Sequence, residues 1–158
     1  MPSTNTKIVR YLITVVMFLG CSVSCGGKDA GPPDIQAELS SQKPLSLRLT
    51  LCSRAKTPAT FRKYRLPWGN RYSTILVAVT PRAEYLERNF PIDDPSPETV
   101  TIEPNECLSG EINLQRVFVG LDTALKKTDI QLFWAYEAPD ELRIAHWSGG
   151  WIPIAQQK

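Results

Sequence analysis

With 158 residues, 42% of them hydrophobic, the chain has apolar material for one domain with a real core. Its formal charge of +2 rests on Lys7 and Arg10; setting those two aside leaves 16 basic against 16 acidic residues, a balance that offers no counterion release for binding nucleic acid. Thirteen prolines, many of them in the middle and end of the chain, exclude long helices.

Lys7 and Arg10 precede residues 11–19, YLITVVMFL, nine uncharged and mostly apolar positions followed by Gly20, Cys21, Ser22, Val23, Ser24, Cys25, Gly26 and Gly27. A basic start, a short apolar middle and a small-residue exit predict a secretory signal. The run is well short of the about 20 apolar residues of a membrane-spanning helix. An amphipathic helix of the folded domain would need a polar face, and residues 11–19 offer almost none. The order Phe18, Leu19, Gly20, Cys21 resembles the lipobox of bacterial lipoproteins, with Phe18 standing where leucine is usual. That resemblance implies a lipoprotein signal peptide over residues 1–20. Cys21 would become the first mature residue, thioether-linked to diacylglycerol and further acylated, for example by palmitate. Cys25, after Ser22, Val23 and Ser24, is the alternative attachment site. Ser22 and Ser24 also suit ordinary signal peptidase cleavage before Cys25, which would release a soluble secreted protein. Each buried acyl methylene is worth about 0.8 kcal/mol, so several chains hold the protein permanently at the outer membrane or the periplasmic face of the envelope. Anchoring at Cys21 leaves Cys25 as an odd thiol, whereas anchoring at Cys25 leaves only the pair Cys52 and Cys107.

Residues 21–33 mix Gly, Pro, Ser, Lys and Asp without periodicity and read as a flexible tether ahead of a domain over residues 34–158. Ile35, Ala37 and Leu39 alternate with polar residues, the pattern of a first strand. Leu45, Leu47, Leu49 and Leu51 alternate with Ser46, Arg48, Thr50 and Cys52. At helical pitch these leucines would surround the axis; a pleated strand gathers them on one face. Residues 53–58 form a polar turn, and residues 59–65 a strand in which Thr60, Phe61 and Tyr64 sit among Arg62, Lys63 and Arg65, giving one basic face. Leu66, Pro67, Trp68, Gly69 and Asn70 interrupt it. Residues 73–80, STILVAVT, are apolar on both faces and predict a central, covered strand. Residues 81–88 fit a helix begun at Pro81 or a short returning strand, and residues 90–97 a rigid acidic loop.

Val100 and Ile102 open another strand, Pro104, Asn105 and Glu106 turn it, and residues 108–114 run back with Ile112 and Leu114 inward. Residues 122–127 suit one helical turn. Ile130, Leu132, Trp134 and Tyr136 then mark a buried strand. The end reads as a hairpin of residues 142–147 and 151–154 about Ser148, Gly149 and Gly150, with Trp147 and Trp151 flanking the turn. About 7–9 short strands at this spacing predict an all-β chain, an antiparallel β-sandwich.

Residues 62–69, RKYRLPWG, and residues 100–114, VTIEPNECLSGEINL, together resemble the immunoglobulin-like sandwich that precedes the catalytic domain of deuterolysin-type metallopeptidases, and related small bacterial domains that include a proteinase-inhibitor family. Lys63, Tyr64, Pro67 and Gly69 match the first segment and Pro104 and Glu106 the second, while Asn105 replaces the usual glycine and tolerates positive φ. The likeness spans roughly residues 45–136. The topology it implies makes the strands at 45–52 and 108–114 antiparallel neighbours, which brings Cys52 and Cys107 together as a disulfide; two buried free thiols are the competing reading. The peptidase activity does not carry over, because a zinc helix needs two histidines four apart and His146 is the only histidine.

Positions 43–88 hold ten basic residues against Glu84 and Glu87, and positions 90–115 hold six acidic ones and no base. The basic segment, with Arg62, Lys63 and Arg65, is a candidate surface for acidic glycans, lipid head groups or an acidic partner; adjacent strands would equally join the two segments as exposed ion pairs. Trp68, Trp147 and Trp151 are candidates for a sugar-stacking or protein-binding platform, or else close the ends of a small core. No serine has a histidine in a recognisable triad pattern, no phosphate-cradling glycine loop occurs, and two cysteines with one histidine are too few to hold a metal. The expectation is therefore a non-catalytic envelope lipoprotein without cofactor, anchored to the membrane and contacting an envelope protein or glycan. The alternative is a proteinase inhibitor presenting residues 88–96 or 66–72.

Overall fold

The computed structural model describes residues 34–40, 44–89 and 97–157. The expected signal peptide, Cys21, Cys25, the tether and most of the acidic loop lie outside the described residues. Eight strands are described: β1 (Ile35–Ser40), β2 (Ser46–Cys52), β3 (Ala59–Arg62), β4 (Thr74–Val79), β5 (Thr99–Ile102), β6 (Cys107–Asn113), β7 (Ile130–Glu137) and β8 (Trp147–Ile154). They pair antiparallel throughout, in the sheets β1-β2-β6, β3-β5 and β4-β7-β8. The fold is an all-β sandwich whose inward side chains share one core.

The leucine alternation does in β2 what its period demands: Leu45, Leu47, Leu49 and Leu51 are all buried, while Arg48 points outward. Each such side chain contributes about 1.5–3 kcal/mol relative to exposure. From the other sheets, Phe61 of β3, Leu76 of β4, Ile102 of β5, and Ile130, Leu132, Trp134 and Tyr136 of β7 join them. The β5–β6 connection is the expected tight turn: Asn105 has φ 62, Glu106 N–H donates to the Glu103 carbonyl, and the Glu106 carboxylate accepts from Glu103 N–H. Beyond that turn β6 pairs with β2 in a register that places Cys52 opposite Cys107, and the two form a disulfide.

Several elements differ from the sequence reading. β3 ends at Arg62, and Lys63–Arg65 curl into a 3-10 turn because the chain must fold back to bury Leu66. That fold-back is close: a Cβ at Gly69 would stand 2.2 Å from the Lys63 carbonyl oxygen. Residues 81–88 are neither helix nor strand; they touch the sandwich through isolated bridges, Val79 to Tyr85 and Arg88 to Phe118. The expected helical turn is α2 (Leu121–Leu125), and an unexpected one, α1 (Leu114–Val117), precedes it, with the Asn113 side chain accepting from Arg116 N–H. Both are held by their apolar sides, Leu114, Val117, Leu121 and Leu125 being buried.

Two corrections matter for function. The STILVAVT segment is an edge strand, β4, and not a central one; its outer face is open, with Ile75 45% exposed. The closing hairpin does not exist: Trp147–Ile154 is one continuous strand lying along β7 from Glu137 to Ile130. Ser148, Gly149 and Gly150 are strand residues there, opposite Tyr136, Ala135 and Trp134. The physical reason lies at Gly149, opposite Ala135: a Cβ there would stand 2.5 Å from the Trp134 carbonyl oxygen, so the missing side chain serves close pairing with β7 and not a turn.

Candidate binding face

The outward positions of β4-β7-β8 follow from the register. Ile75, Ala135 and Gly149 align across the three strands, as do Val77, Phe133 and Trp151, and then Val79, Gln131 and Pro153. None of these side chains is charged, and most are apolar. Trp147 completes the row on β8 at 53% exposure and Trp151 stands at 58%. β8 has no charged residue in any of its eight positions and forms one edge of its sheet. Edge strands usually carry charge or are kept short, so a long uncharged one flanked by exposed indoles is a surface suited to contact.

Gly149 shapes the middle of this face. A Cβ there would lie 2.5 Å from the Trp134 carbonyl oxygen and 3.0 Å from Ala135 Cα, so only glycine lets β8 approach β7 this closely. The two tryptophans therefore stand four residues apart on one strand, about 13 Å between their Cα atoms, with a low floor of Gly149 and Ala135 between them. Trp151 packs its ring on Phe133 at 5.2 Å between centroids. At the other end, His146 meets Trp147 edge-on at 6.0 Å, with its Nε2 3.2 Å from Glu137 Oε1 and its Nδ1 3.6 Å from Asp140 Oδ1. The polar groups are thus confined to the rim.

The other expected site residues are placed elsewhere. Trp68 does not join Trp147 and Trp151: its indole occupies the space where a Cβ of Gly110 on β6 would stand, and it packs against the core. The basic trio is engaged locally. Arg62 donates to the Pro97 carbonyl, Lys63 pairs with Glu98 at 2.8 Å, and Arg65 lies 3.7 Å from Glu141. The Lys63 hydrogen bond holds the Glu98 carboxyl below its ordinary range, and hydrogen bonds from Arg48 and Ser46 do the same to Glu111. In Lys63–Glu98 and Arg48–Glu111 a base of the first charged segment meets an acid of the second as an exposed pair. The 66–72 loop is folded in: Asn70 Nδ2 donates to the Tyr64 carbonyl, and Thr74 Oγ1 and Ser73 Oγ both donate to the Pro67 carbonyl.

Among the described residues no group of three or more His, Cys, Asp or Glu side chains is placed to hold a metal ion, and no helix is long and apolar enough to cross a membrane. Sequence reasoning found Trp147 and Trp151 but missed Ile75, Val77 and Phe133 beside them. The signal is present in STILVAVT, whose second apolar face fits an open contact surface as well as a covered one. No family model and no curated protein matches this chain.

Proposed function

We propose that this chain is a non-catalytic lipoprotein of the bacterial cell envelope, anchored through Cys21 or Cys25, whose β-sandwich docks an envelope protein on the outer face of β4-β7-β8. The observation that carries this reading is the outer face itself, uncharged except at its Glu137 end, on which Trp147 and Trp151 stand more than half exposed. Interface cores are depleted in charge and enriched in tryptophan and phenylalanine, and this face has that composition. The Cys52–Cys107 disulfide suits an oxidising compartment outside the cytoplasm, in keeping with the basic, apolar and small-residue order of the leader. The mixture of aliphatic with aromatic side chains favours a protein over a sugar, which stacks on rings and needs hydrogen-bonding groups among them.

The test compares the full chain with its Trp147→Ser, Trp151→Ser double variant, each expressed in a bacterium, by mass spectrometry of the membrane fraction and native gel electrophoresis. An acylated cysteine on both, with a larger complex formed only by the parent chain, is expected. An unacylated soluble product overturns the anchor. The same complex from the double variant overturns the docking face, and a tryptophan fluorescence change with envelope polysaccharide in place of a complex assigns the face to glycan.

A further inference from the structure

A cleft of about 330 Å³ opens where the free edge of β6 faces the edge of β4, sharing no residue with the outer face described above. Its apolar wall is Trp68, Leu76, Ile112 and Val117. Its polar lining can be accounted for group by group. The Asn70 side chain is consumed by its own loop, accepting from Tyr72 and Ser73 N–H and donating to the Tyr64 carbonyl. Thr74 donates to the Pro67 carbonyl, and Asn113 caps α1. Glu111 accepts from Arg48 Nη2 at 2.7 Å and from Ser46, so its charge is already matched from the β2 side.

What remains is Arg71 and Arg116. Among the described residues neither guanidinium has an ion-pair partner, and Arg71 Nη1 is shut away from water with no hydrogen-bond acceptor. A buried, unpaired donor on a cation is costly, so turning the Arg71 guanidinium toward an acceptor in the cleft would relieve that cost. Both groups are donor-only and permanently charged, and the guanidinium fork matches carboxylate and phosphate oxygens two at a time. The chemistry left to an incoming molecule is therefore that of an acceptor carrying negative charge.

We propose that this cleft binds an oxyanion, a carboxylate or phosphate group held between Arg71 and Arg116, with the rest of the ligand against Trp68. The volume suits a small molecule or the end of a chain and not a folded partner. Arg116 is exposed, so it can be changed without touching the core, whereas Arg71 sits partly buried in the loop.

The experiment follows the arginine side-chain N–H resonances of the full chain during titration with inorganic phosphate and, separately, with acetate, at constant ionic strength. Saturable shifts of Arg71 and Arg116 with either probe are expected, and which probe saturates at lower concentration names the source. Arg116→Gln should weaken that binding by about ten- to a hundredfold, the loss of one charge-assisted contact, while Arg82→Gln outside the cleft leaves it unchanged. No saturation with either probe overturns the proposal. So does equal binding by Arg116→Gln, or equal weakening by Arg82→Gln, since surface charge alone would then account for the response.

Discussion

Replacing Gly149 and Gly150 separately by alanine distinguishes a continuous β8 from a turn. At position 149 the new methyl would stand 2.5 Å from the Trp134 carbonyl oxygen and 3.1 Å from Ala135 Cβ. Both belong to the central strand β7, so relief requires β8 to shift and its ladder to loosen. Overpacking against a backbone that cannot yield costs about 1–3 kcal/mol. At roughly 3–5 °C per kcal/mol for a domain of this size, Gly149→Ala should lower Tm by about 3–15 °C. At position 150 the nearest heavy atom to the added Cβ is Trp134 Nε1 at 4.0 Å, an ordinary contact. Neither glycine has positive φ, Gly120 being the one described glycine that does. Gly150→Ala should therefore be neutral or stabilise by about 0.4–1 kcal/mol through the entropy of the unfolded chain. Urea unfolding followed by far-ultraviolet circular dichroism reads both, with an unchanged m-value as the sign that the denatured state is the same. Equal destabilisation by the two substitutions, the outcome of a glycine turn, would refute the register given for β8. A neutral Gly149→Ala would refute the close approach to β7.

Removing the disulfide with Cys52→Ala and Cys107→Ala opens a loop of 55 residues and should cost about 4 kcal/mol in the chain-entropy model, read as a fall in the urea midpoint that a reductant reproduces on the parent chain; an unchanged midpoint would contradict a cross-link acting on the unfolded chain. Burial pushes the Tyr136 phenol up, against the smaller opposing effect of Arg65, and its O–H donates to the Arg65 carbonyl at 2.7 Å. A folded-state value above the unfolded one, about 10, gives stability that is present below pH 10 and lost as pH rises beyond it. Tyr136→Phe should cost about 1 kcal/mol at neutral pH for the orphaned carbonyl, yet lose less stability than the parent between pH 10 and 11; parallel alkaline slopes would contradict this.

Period-two patterns carried much of the fold. The leucines of β2 and the Ile130, Leu132, Trp134 and Tyr136 row of β7 are core because alternation puts them on one face whatever their neighbours are. The Asn105 turn was legible for an equally local reason, since its positive φ needs only a residue that tolerates it. Local pattern does not say which strand lies beside which, or whether a face is covered. STILVAVT is apolar on both faces, and only the assembled sheet leaves Ile75 and Val77 outward beside Phe133 and Trp151. Gly149 and Gly150 have the composition of a turn and are strand residues in the assembled sheet; at Gly149 the Trp134 carbonyl and Ala135 leave no room for a Cβ, whereas Gly150 has room for one. Trp68 and Gly110 likewise complement each other across 42 positions, a match of volume that neither residue's own neighbourhood reveals. The sequence by itself therefore determined the alternating strands β2 and β7, their inward residues and the class of fold, since these depend on backbone geometry repeated every two residues. The open face and the cleft between Arg71 and Arg116 were decided only by tertiary structure, because exposure and unpaired charge are properties of what long-range packing brings near and what it leaves uncovered.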